Sequence, residues 1–532
     1  MRLYSIFFCL FFALQAEAQH EYLDHPVDII HYEVSLELED TTDEIKGYEL
    51  ITFKLDAPCD SFFIDLASVN EGKGMTMYPE LLIDFEKTNY RHEDDRIWVQ
   101  TNPKWEVGSI HELKMFYHGV PETGLIIGQN KFGNRTFFGD NWPNRAHHWF
   151  ACVDHPSDKA TIKYSVVAPT HYQCIATGTF ISRQLVDDGK KMKYDYATSI
   201  DLPTKVMVIG VANFFYDLYK PDPGFDVSAW VYPENKEEGW SDMQVSVEVL
   251  DYFMDILGPY PFEKLANVQS TTQFGGMENA GNIFYDEEAV TGEGTMEALI
   301  AHEIAHQWFG NSASEEDWPH LWLSEGFATY LTDLYFEQKY GREAMNERLI
   351  GERIRVLKFA ENYKHPVVDT EYEDLMHLLN PNSYQKGAWF LHMLREEIGD
   401  SSFFTGIRKY YEAYQYDNAN TEDFRQIMEE VSGSQLSKFF EQWLHRPGHP
   451  VVLFETIERK GRTVLRMQQM QDEEAFQFDL EVEVIYEDDS RETVVLHAHG
   501  ANANYAFEAG GKKIKGFIYD PNVKLLFEQV EY

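Results

Sequence analysis

The chain has 532 residues and a formal net charge of −44 at pH 7. An envelope this acidic repels the phosphate backbone, so non-specific nucleic-acid binding is excluded as a main activity. A chain of this length is too large for one hydrophobic core, which predicts about three domains.

Residues 1–18 have the layout of a secretory signal peptide. One positive charge at Arg2 precedes about a dozen mostly apolar residues, and an A-x-A cleavage site ends at Ala18. The run is shorter than the roughly 20 residues of a membrane span, and no later stretch is long and apolar enough to cross a bilayer. The alternative is a buried N-terminal strand. We expect a periplasmic or secreted protein whose mature chain starts near Gln19.

Residues 19–213 are predicted to be rich in strands, because apolar and polar residues alternate along Tyr32–Leu38 and Ala160–Val167. Cys59, Cys152 and Cys174 follow the predicted cleavage site. Cys152 and Cys174 could form a disulfide in an oxidising compartment, and the cysteine spacing matches no zinc-binding pattern. Buried packing is the interpretation that we favour.

Residues 214–447 are predicted to be mainly helical. Residues 448–532 return to strands, among them Val451–Phe454 and Phe478–Tyr486. The turn residues Asp520-Pro521-Asn522 predict a last hairpin. Strand-rich regions on either side of a helical one predict a multidomain α+β fold.

The helical region carries the motif H-E-x-x-H from His302 to His306, in a segment whose apolar spacing predicts a helix from Met296 to Trp308. Residues four apart lie on one helix face, so the two imidazoles can bind one metal ion. Glu303 lies beside them and can take a proton from water as general base. The alternative is a chance match on an ordinary amphipathic helix.

Glu325 is the candidate for a third metal ligand. It follows His306 by nineteen residues, at the start of a second helical pattern that runs to about Tyr340. Two histidines and one carboxylate give zinc three protein ligands and leave a fourth position for water. The alternative is a first-turn glutamate favoured by the helix dipole. We predict one Zn2+ per chain, bound by His302, His306 and Glu325.

Two further motifs flank the histidine pair. The segment G-G-M-E-N, residues 275–279, ends 23 residues before His302, and W-L-S-E-G-F-A, residues 322–328, surrounds Glu325. Together the motifs resemble the signature of the aminopeptidase N family of gluzincin zinc metallopeptidases, which also includes leukotriene hydrolase. Ser324 stands where the family pattern has asparagine. The residues after His306, Gln307–Asn311, agree with the family as well.

The resemblance implies roles for several residues. Glu278 would bind the α-amino group of the substrate through a charge-assisted hydrogen bond. Tyr384, in a Y-x-K-G context, would stabilise the oxyanion. The other substrate-binding residues of the motif would be Gly275, Gly276, Met277 and Asn279.

The resemblance also implies a domain organisation. We expect an N-terminal β-saddle domain at residues 19–213, a thermolysin-like catalytic domain at 214–447 and a small C-terminal β-sandwich at 448–532. The large C-terminal helical domain of the longest family members would be missing. The chain would act as a monomer or a homodimer.

One departure from the family concerns the second anchor of the substrate amine. Many members carry a glutamine shortly before the segment that corresponds to Cys152–Asp154, but residues 138–156 contain none. Trp142 lies nearest the expected spacing, and Asp140 or Asn141 could substitute.

The sequence thus predicts a zinc-dependent aminopeptidase that hydrolyses the N-terminal bond of peptides with a free amino terminus, by a metal-activated water with Glu303 as general base. Two other enzyme classes stay open: a thermolysin-like endopeptidase, and a lipid-epoxide hydrolase that uses the same zinc site. A catalytically inactive peptide-binding protein is disfavoured, because binding alone needs no proton transfer by Glu303.

Overall fold

The computed structural model describes residues 22–221, 225–459, 462–507 and 512–531. The predicted signal peptide lies outside these residues. The described residues form two compact units. The first contains the described chain up to Asp255, Pro259–Asp317 and Tyr414–Asn418; the second contains Ile256–Gly258, Trp318–Ala413 and the described chain from Ala419 onward. The boundaries of the three expected domains stay a prediction.

A ten-stranded sheet dominates the N-terminal part. It contains Val27–Glu37 and Lys159–Pro169, which run parallel to each other and confirm both predicted strands. Burial alternates along Val27–Glu37, because successive side chains of a strand point to opposite faces of the sheet. In spatial order the strands are Thr179–Val186, Lys191–Ala197, Lys159–Pro169, Val27–Glu37, Ile45–Leu55, Ile110–Val120, Leu82–Ile83 and Glu86–Lys87, with Leu202–Pro203 and Gly74–Met77 paired at the side.

Two smaller sheets complete this β-rich part. One contains Leu125–Gln129, Arg135–Gly139, Ile209–Ala212 and Gln173–Ala176, and the other contains Ser61–Asp65, Arg96–Gln100 and Tyr90–Glu93. Cys152 and Cys174 are buried free thiols. The interpretation of both as packing residues is therefore confirmed.

A mixed five-stranded sheet positions the glycine-rich motif. In spatial order its strands are Phe215–Pro221, Asp226–Val231, Lys264–Ser270, Asn282–Asp286 and Gly276–Met277. The central strand Lys264–Ser270 pairs in parallel with both neighbours, and all but its first residue are buried. The short strand Gly276–Met277 pairs antiparallel with Asn282–Asp286 and forms one edge of the sheet.

The middle of the chain is mainly helical, as predicted. The α-helices are Lys236–Met243, Ser246–Leu257, Glu297–Ala305, Trp322–Tyr340, Arg342–Ala360, Gly387–Ile398, Asp400–Tyr414, Thr421–Ser432 and Ser437–Phe440, and π-helical turns cover Asn382–Lys386 and Glu441–His445. Local sequence sets the bounds of Thr421–Ser432. A capping box between Asn420 and Asp423 begins the helix, and Gly433 ends it in the left-handed conformation.

Two sheets form the C-terminal part. One contains Asn502–Phe507, Arg462–Gln469, Val451–Arg459 and Glu528–Val530, and the other contains Arg491–Ala498, Phe478–Tyr486 and Ile514–Tyr519. The rings of Phe454 and Tyr519 stack between the two sheets, with centroids 3.8 Å apart. The predicted α+β fold class, with sheets at both ends of a helical region, is confirmed.

The predicted last hairpin is wrong, because the strands on either side of the turn at Asp520 belong to different sheets. Ile514–Tyr519 pairs with Phe478–Tyr486, whereas Glu528–Val530 runs parallel to Val451–Arg459. The carboxylate of Asp520 accepts a hydrogen bond from the backbone N–H of Lys524 at 2.7 Å and redirects the chain. Within the described ranges, no helix combines the length and apolarity that a membrane span requires.

A buried carboxyl group lies inside the ten-stranded sheet. Glu49 is fully buried and accepts hydrogen bonds from the N–H of Ala151 at 2.9 Å and the hydroxyl of Tyr117 at 3.2 Å. Burial raises its pKa from an ordinary value of 4.5 to about 8. The folded protein therefore holds this proton more tightly than the unfolded chain does.

Because the pKa is raised on folding, the stabilisation from the Glu49 proton is fully present below pH 4.5 and is lost as the pH rises through about 8. We expect the Glu49→Gln variant to lack this dependence. Relative to the variant, the wild type should lose about 1.4 kcal/mol of unfolding free energy per pH unit between these values. Thermal unfolding of both proteins at pH 5 to 9 measures the difference, and parallel curves would contradict it.

Candidate active site

The helix Glu297–Ala305 carries the H-E-x-x-H motif. Its apolar residues Ile300, Ala301, Ile304 and Ala305 are buried, as the predicted spacing requires. The regular helix ends at Ala305, and turns stabilised by the bonds from Trp308 N–H to the Ala305 carbonyl and from Asn311 N–H to the His306 carbonyl continue it. The predicted helix is confirmed.

The two histidines face each other one helical turn apart. Their Nε2 atoms are 3.1 Å apart, and the ring planes make an angle of 83°. His306 Nδ1 lies 3.2 Å from the carbonyl oxygen of Phe309, which can only accept, so Nδ1 carries the proton and Nε2 presents a lone pair. Two nitrogens bound to one tetrahedral zinc at 2.0–2.1 Å would be about 3.3 Å apart. The histidine pair therefore fits zinc.

Carboxylates lie beside His306. Glu278, Glu303 and His306 could bind a metal ion through ligand atoms that all lie within 4.8 Å of one another. This group places the two acidic residues of the predicted mechanism beside one imidazole. The set of His302, His306 and Glu325 has the donor types of a catalytic zinc site, two imidazoles and one carboxylate, and it stays a prediction.

Gly276 leaves the space that the carboxylate of Glu303 occupies. A Cβ atom built on Gly276 would overlap Glu303 Oε1 and would lie 2.6 Å from its Cδ. Both Glu303 and Glu278 are buried, with 4% of their surface exposed. The side chain of the predicted general base Glu303 thus packs directly against the backbone of the glycine-rich motif.

The glycine-rich motif forms a tight edge hairpin. Gly276 pairs with Tyr285 and Met277 with Phe284, after which a turn is closed by the bond from Asn282 N–H to the Asn279 carbonyl. Gly281 has a φ of 68°, a conformation that glycine adopts without a steric penalty. Met277 and Asn279 are buried, whereas Gly275 is exposed. The hairpin places Glu278 at the tip of an edge strand.

Glu325 and Tyr384 lie on neighbouring elements of the second unit. Glu325 is in the first turn of the helix Trp322–Tyr340, whose extent confirms the second predicted helix. Its carbonyl accepts the Thr329 hydroxyl at 2.8 Å. Tyr384, half-buried, lies in the π-helical turn Asn382–Lys386, directly before the helix Gly387–Ile398.

Two glycines bring these elements into backbone contact. A Cβ atom on Gly326 would lie 3.0 Å from both Cα and C of Gly387, and a Cβ atom on Gly387 would lie 3.0 Å from Cα of Gly326. Gly326 follows Glu325 directly, and Gly387 follows Tyr384 by three residues. The glycine contact therefore fixes the distance between the two predicted functional residues.

Two family models match the chain. The peptidase M1 N-terminal domain matches residues 29–206, and the peptidase family M1 domain matches residues 241–443, the range that contains all three motifs. The chain belongs to peptidase family M1. The expected membership of the aminopeptidase N family is confirmed.

Individual relatives of this M1 protein are aminopeptidases. It is 27% identical to probable aminopeptidase 2 of Sulfurisphaera tokodaii over 80% of this chain and 54% of the relative. It is 27% identical to glutamyl aminopeptidase of Bos taurus over 70% of this chain and 41% of the relative. It is 28% identical to aminopeptidase M1 of Arabidopsis thaliana over 58% of this chain and 37% of the relative. The chain thus spans about half the length of these curated relatives or less.

Asp140 and Asn141, the two residues considered as substitutes for the second amine anchor, form hydrogen bonds to other residues of the M1 protein. The amide nitrogen of Asn141 donates to the carbonyls of Thr204 and Met207 at 2.9 and 2.6 Å, and its oxygen accepts the Trp149 indole N–H at 2.8 Å. The buried carboxylate of Asp140 accepts from Arg145 at 2.9 Å and from the N–H of Gln273 at 3.2 Å. Asp140 thus supports the segment before Gly275 through Gln273, and Asn141 joins Trp149 to the turn at Thr204–Met207.

Two residues of the site received no role from sequence reasoning. The side-chain amides of Gln307 and Asn311 donate to the carbonyl oxygen of Glu278 at 2.8 and 2.6 Å. The agreement of the segment after His306 with the family was the signal that could have identified them. It gave no indication of the bonding partner.

We expect Gly326→Ala to lower both kcat and the thermal midpoint, because the added methyl group forces apart the two elements that carry Glu325 and Tyr384. Gly351 provides the matched control. It lies in the helix Arg342–Ala360, and nothing lies within 4 Å of the position that a Cβ atom would take there.

Gly351→Ala should leave kcat unchanged and stabilise the protein by about 0.5–1 kcal/mol, since alanine loses less backbone entropy in a helix. Thermal unfolding and arylamide kinetics on both variants provide the measurement. Equal activities of the two variants would refute the role assigned to the glycine contact.

Proposed function

We propose that the protein is a zinc-dependent aminopeptidase that removes the first residue from peptides with a free amino terminus. The observation that carries the proposal is the proximity of two buried carboxylates. Glu278 and Glu303 have oxygens within 4.8 Å of each other and of a His306 nitrogen. With Glu303 assigned to proton transfer, the second carboxylate, that of Glu278, is assigned to the substrate ammonium group, with which it can form a charge-assisted hydrogen bond.

Peptide geometry relates this distance to the bond that is cleaved. The α-nitrogen of a peptide lies about 2.5 Å from the carbonyl carbon of its own residue, and each further residue adds up to about 3.6 Å. An amine held by Glu278 therefore places the first carbonyl beside Glu303, whereas the second carbonyl would lie too far away. The short spacing between the two acids favours exopeptidase action.

The proposed mechanism assigns a role to each residue. His302, His306 and Glu325 would hold zinc, which polarises the carbonyl and lowers the pKa of a water molecule when it is bound. Glu303 accepts the proton of the attacking water and delivers it to the leaving amine. Tyr384 donates a hydrogen bond to the oxygen on which negative charge develops. His306 keeps its orientation through the carbonyl of Phe309.

The edge strand offers a way to orient the rest of the substrate. Gly276–Met277 has a ladder partner on one side within the five-stranded sheet. An extended peptide can add to such an edge through main-chain hydrogen bonds. Recognition of the backbone suits an enzyme that acts on peptides of varied sequence.

We also propose that residues 1–18 direct export and that the mature protein acts in the periplasm or outside the cell. The charged start, the apolar run and the A-x-A site support this proposal. N-terminal sequencing of the protein recovered from cell fractions tests it, and an intact Met1 on the active protein would contradict it.

Glu303→Gln should lower kcat for amino-acid arylamides by at least about a hundredfold, because glutamine cannot accept the proton. The variant is nearly isosteric, so zinc content, measured by mass spectrometry, should equal that of the wild type. Removal of the metal with a chelator should abolish activity, and added zinc should restore it. Wild-type turnover by a zinc-loaded Glu303→Gln protein would refute the mechanism.

Glu278→Gln should raise KM for substrates with a free amino terminus by about ten- to a hundredfold, because the loss of one charge-assisted hydrogen bond weakens binding by about that factor. Glu293→Gln is the matched control, because Glu293 is exposed. N-terminal acetylation of a test peptide should prevent cleavage by the wild type. Cleavage that ignores acetylation would favour the endopeptidase, and turnover of a fatty-acid epoxide without arylamide cleavage would favour the epoxide hydrolase.

A further inference from the structure

We infer that Gln307 is a positioning residue that sets the distance between the amine anchor Glu278 and the general base Glu303. The inference rests on the proposed aminopeptidase function and adds a residue that acts on substrate register. Gln307 follows the second histidine of H-E-x-x-H directly and is fully buried. It therefore links the metal-binding turn to the glycine-rich hairpin.

The side chain of Gln307 bonds to the hairpin backbone at two points. Its amide nitrogen donates to the carbonyl oxygen of Glu278 at 2.8 Å, and its amide oxygen accepts the N–H of Gly281 at 2.9 Å. The same nitrogen lies 3.2 Å from the carbonyl oxygen of Glu303. One planar amide thus contacts the backbone of both acidic residues.

These bonds replace a missing strand partner. The ladder of the edge hairpin ends at Met277, and the turn bond from Asn282 to Asn279 begins beyond Glu278. The carbonyl of Glu278 accepts instead from the side chains of Gln307 and Asn311, at 2.8 and 2.6 Å. Both acceptor positions of this oxygen are filled from the turn that follows the metal-binding helix.

The backbone of Glu278 is therefore tied to the turn that directly follows the metal-binding helix. If the amide of Gln307 is removed, the tip of the hairpin can move relative to Glu303, and a bound amine moves with it. A hairpin tip that can move holds the Glu278 carboxylate in a less defined position, so substrates with a free amine should bind more weakly. The change in kcat should be smaller, because Gln307 itself takes no part in proton transfer.

Gln269 offers a matched control. It is a fully buried glutamine in the central strand of the five-stranded sheet. Its amide likewise forms two hydrogen bonds to another segment, donating to the side chain of Asn235 at 2.9 Å and accepting the N–H of Tyr232 at 3.0 Å. Methionine at either position removes the same number of buried amide groups at similar volume.

The experiment compares Gln307→Met, Gln307→Glu and Gln269→Met in the full-length, zinc-loaded protein. The Gln307→Glu variant keeps the acceptor for Gly281 and loses the donor to Glu278. It replaces the methionine variant in the comparison if that variant does not fold. Both Gln307 variants should raise KM for an amino-acid arylamide at least tenfold with a smaller change in kcat and an unchanged zinc content. Gln269→Met should change KM less than twofold.

Amide hydrogen exchange supplies a readout that does not depend on turnover. Gln307→Met should accelerate exchange at the Gly281 amide, and Gln269→Met should leave that amide protected. Faster exchange without a change in KM, or an unchanged rate at Gly281, would overturn the inference. A wild type that cleaves no arylamide would instead refute the proposed function, and exchange at Gly281 would still decide whether Gln307 holds the hairpin.

Discussion

The hydrogen bond between His306 Nδ1 and the carbonyl oxygen of Phe309 is the constraint on which the chemistry of this protein depends. It fixes the tautomer, so the Nε2 lone pair of His306 points toward His302. The carbonyl is available because the regular helix ends at Ala305 and the chain turns. The geometry of the histidine pair thus follows from the place where the helix stops.

Elements with a strong local pattern could be predicted from the sequence. The helices around His302 and Glu325 and the strand Phe478–Tyr486 match their predicted bounds closely, because hydrophobic periodicity and end signals act over a few residues. The turn at Asp520 was also found. Its connection was wrong, because the partner of a strand is chosen by packing between distant segments rather than by the turn itself.

The candidate site shows the same division. The chemical roles of His302, His306, Glu303 and Glu325 could be predicted from their residue types and spacing, and the motif at Glu278 is specific to the family. The residues that hold these side chains in position could not be predicted in this way. The bridge from Gln307 to Gly281 joins residues that are 26 positions apart, and the engagement of Asn141 by Thr204 spans 63 positions. The structural role of a buried side-chain amide can be assigned only when its hydrogen-bond partners are known, and those partners are distant in the sequence.

The contact between Gly326 and Gly387 has a mechanical consequence. Since backbone touches backbone there, no side chain is available to absorb a shift by changing rotamer. The elements that carry Glu325 and Tyr384 should consequently move together as one rigid unit, although the two residues are 59 positions apart in the chain. Natural variation in this protein should thus tolerate repacking around the two helices far more readily than any enlargement at their crossing point.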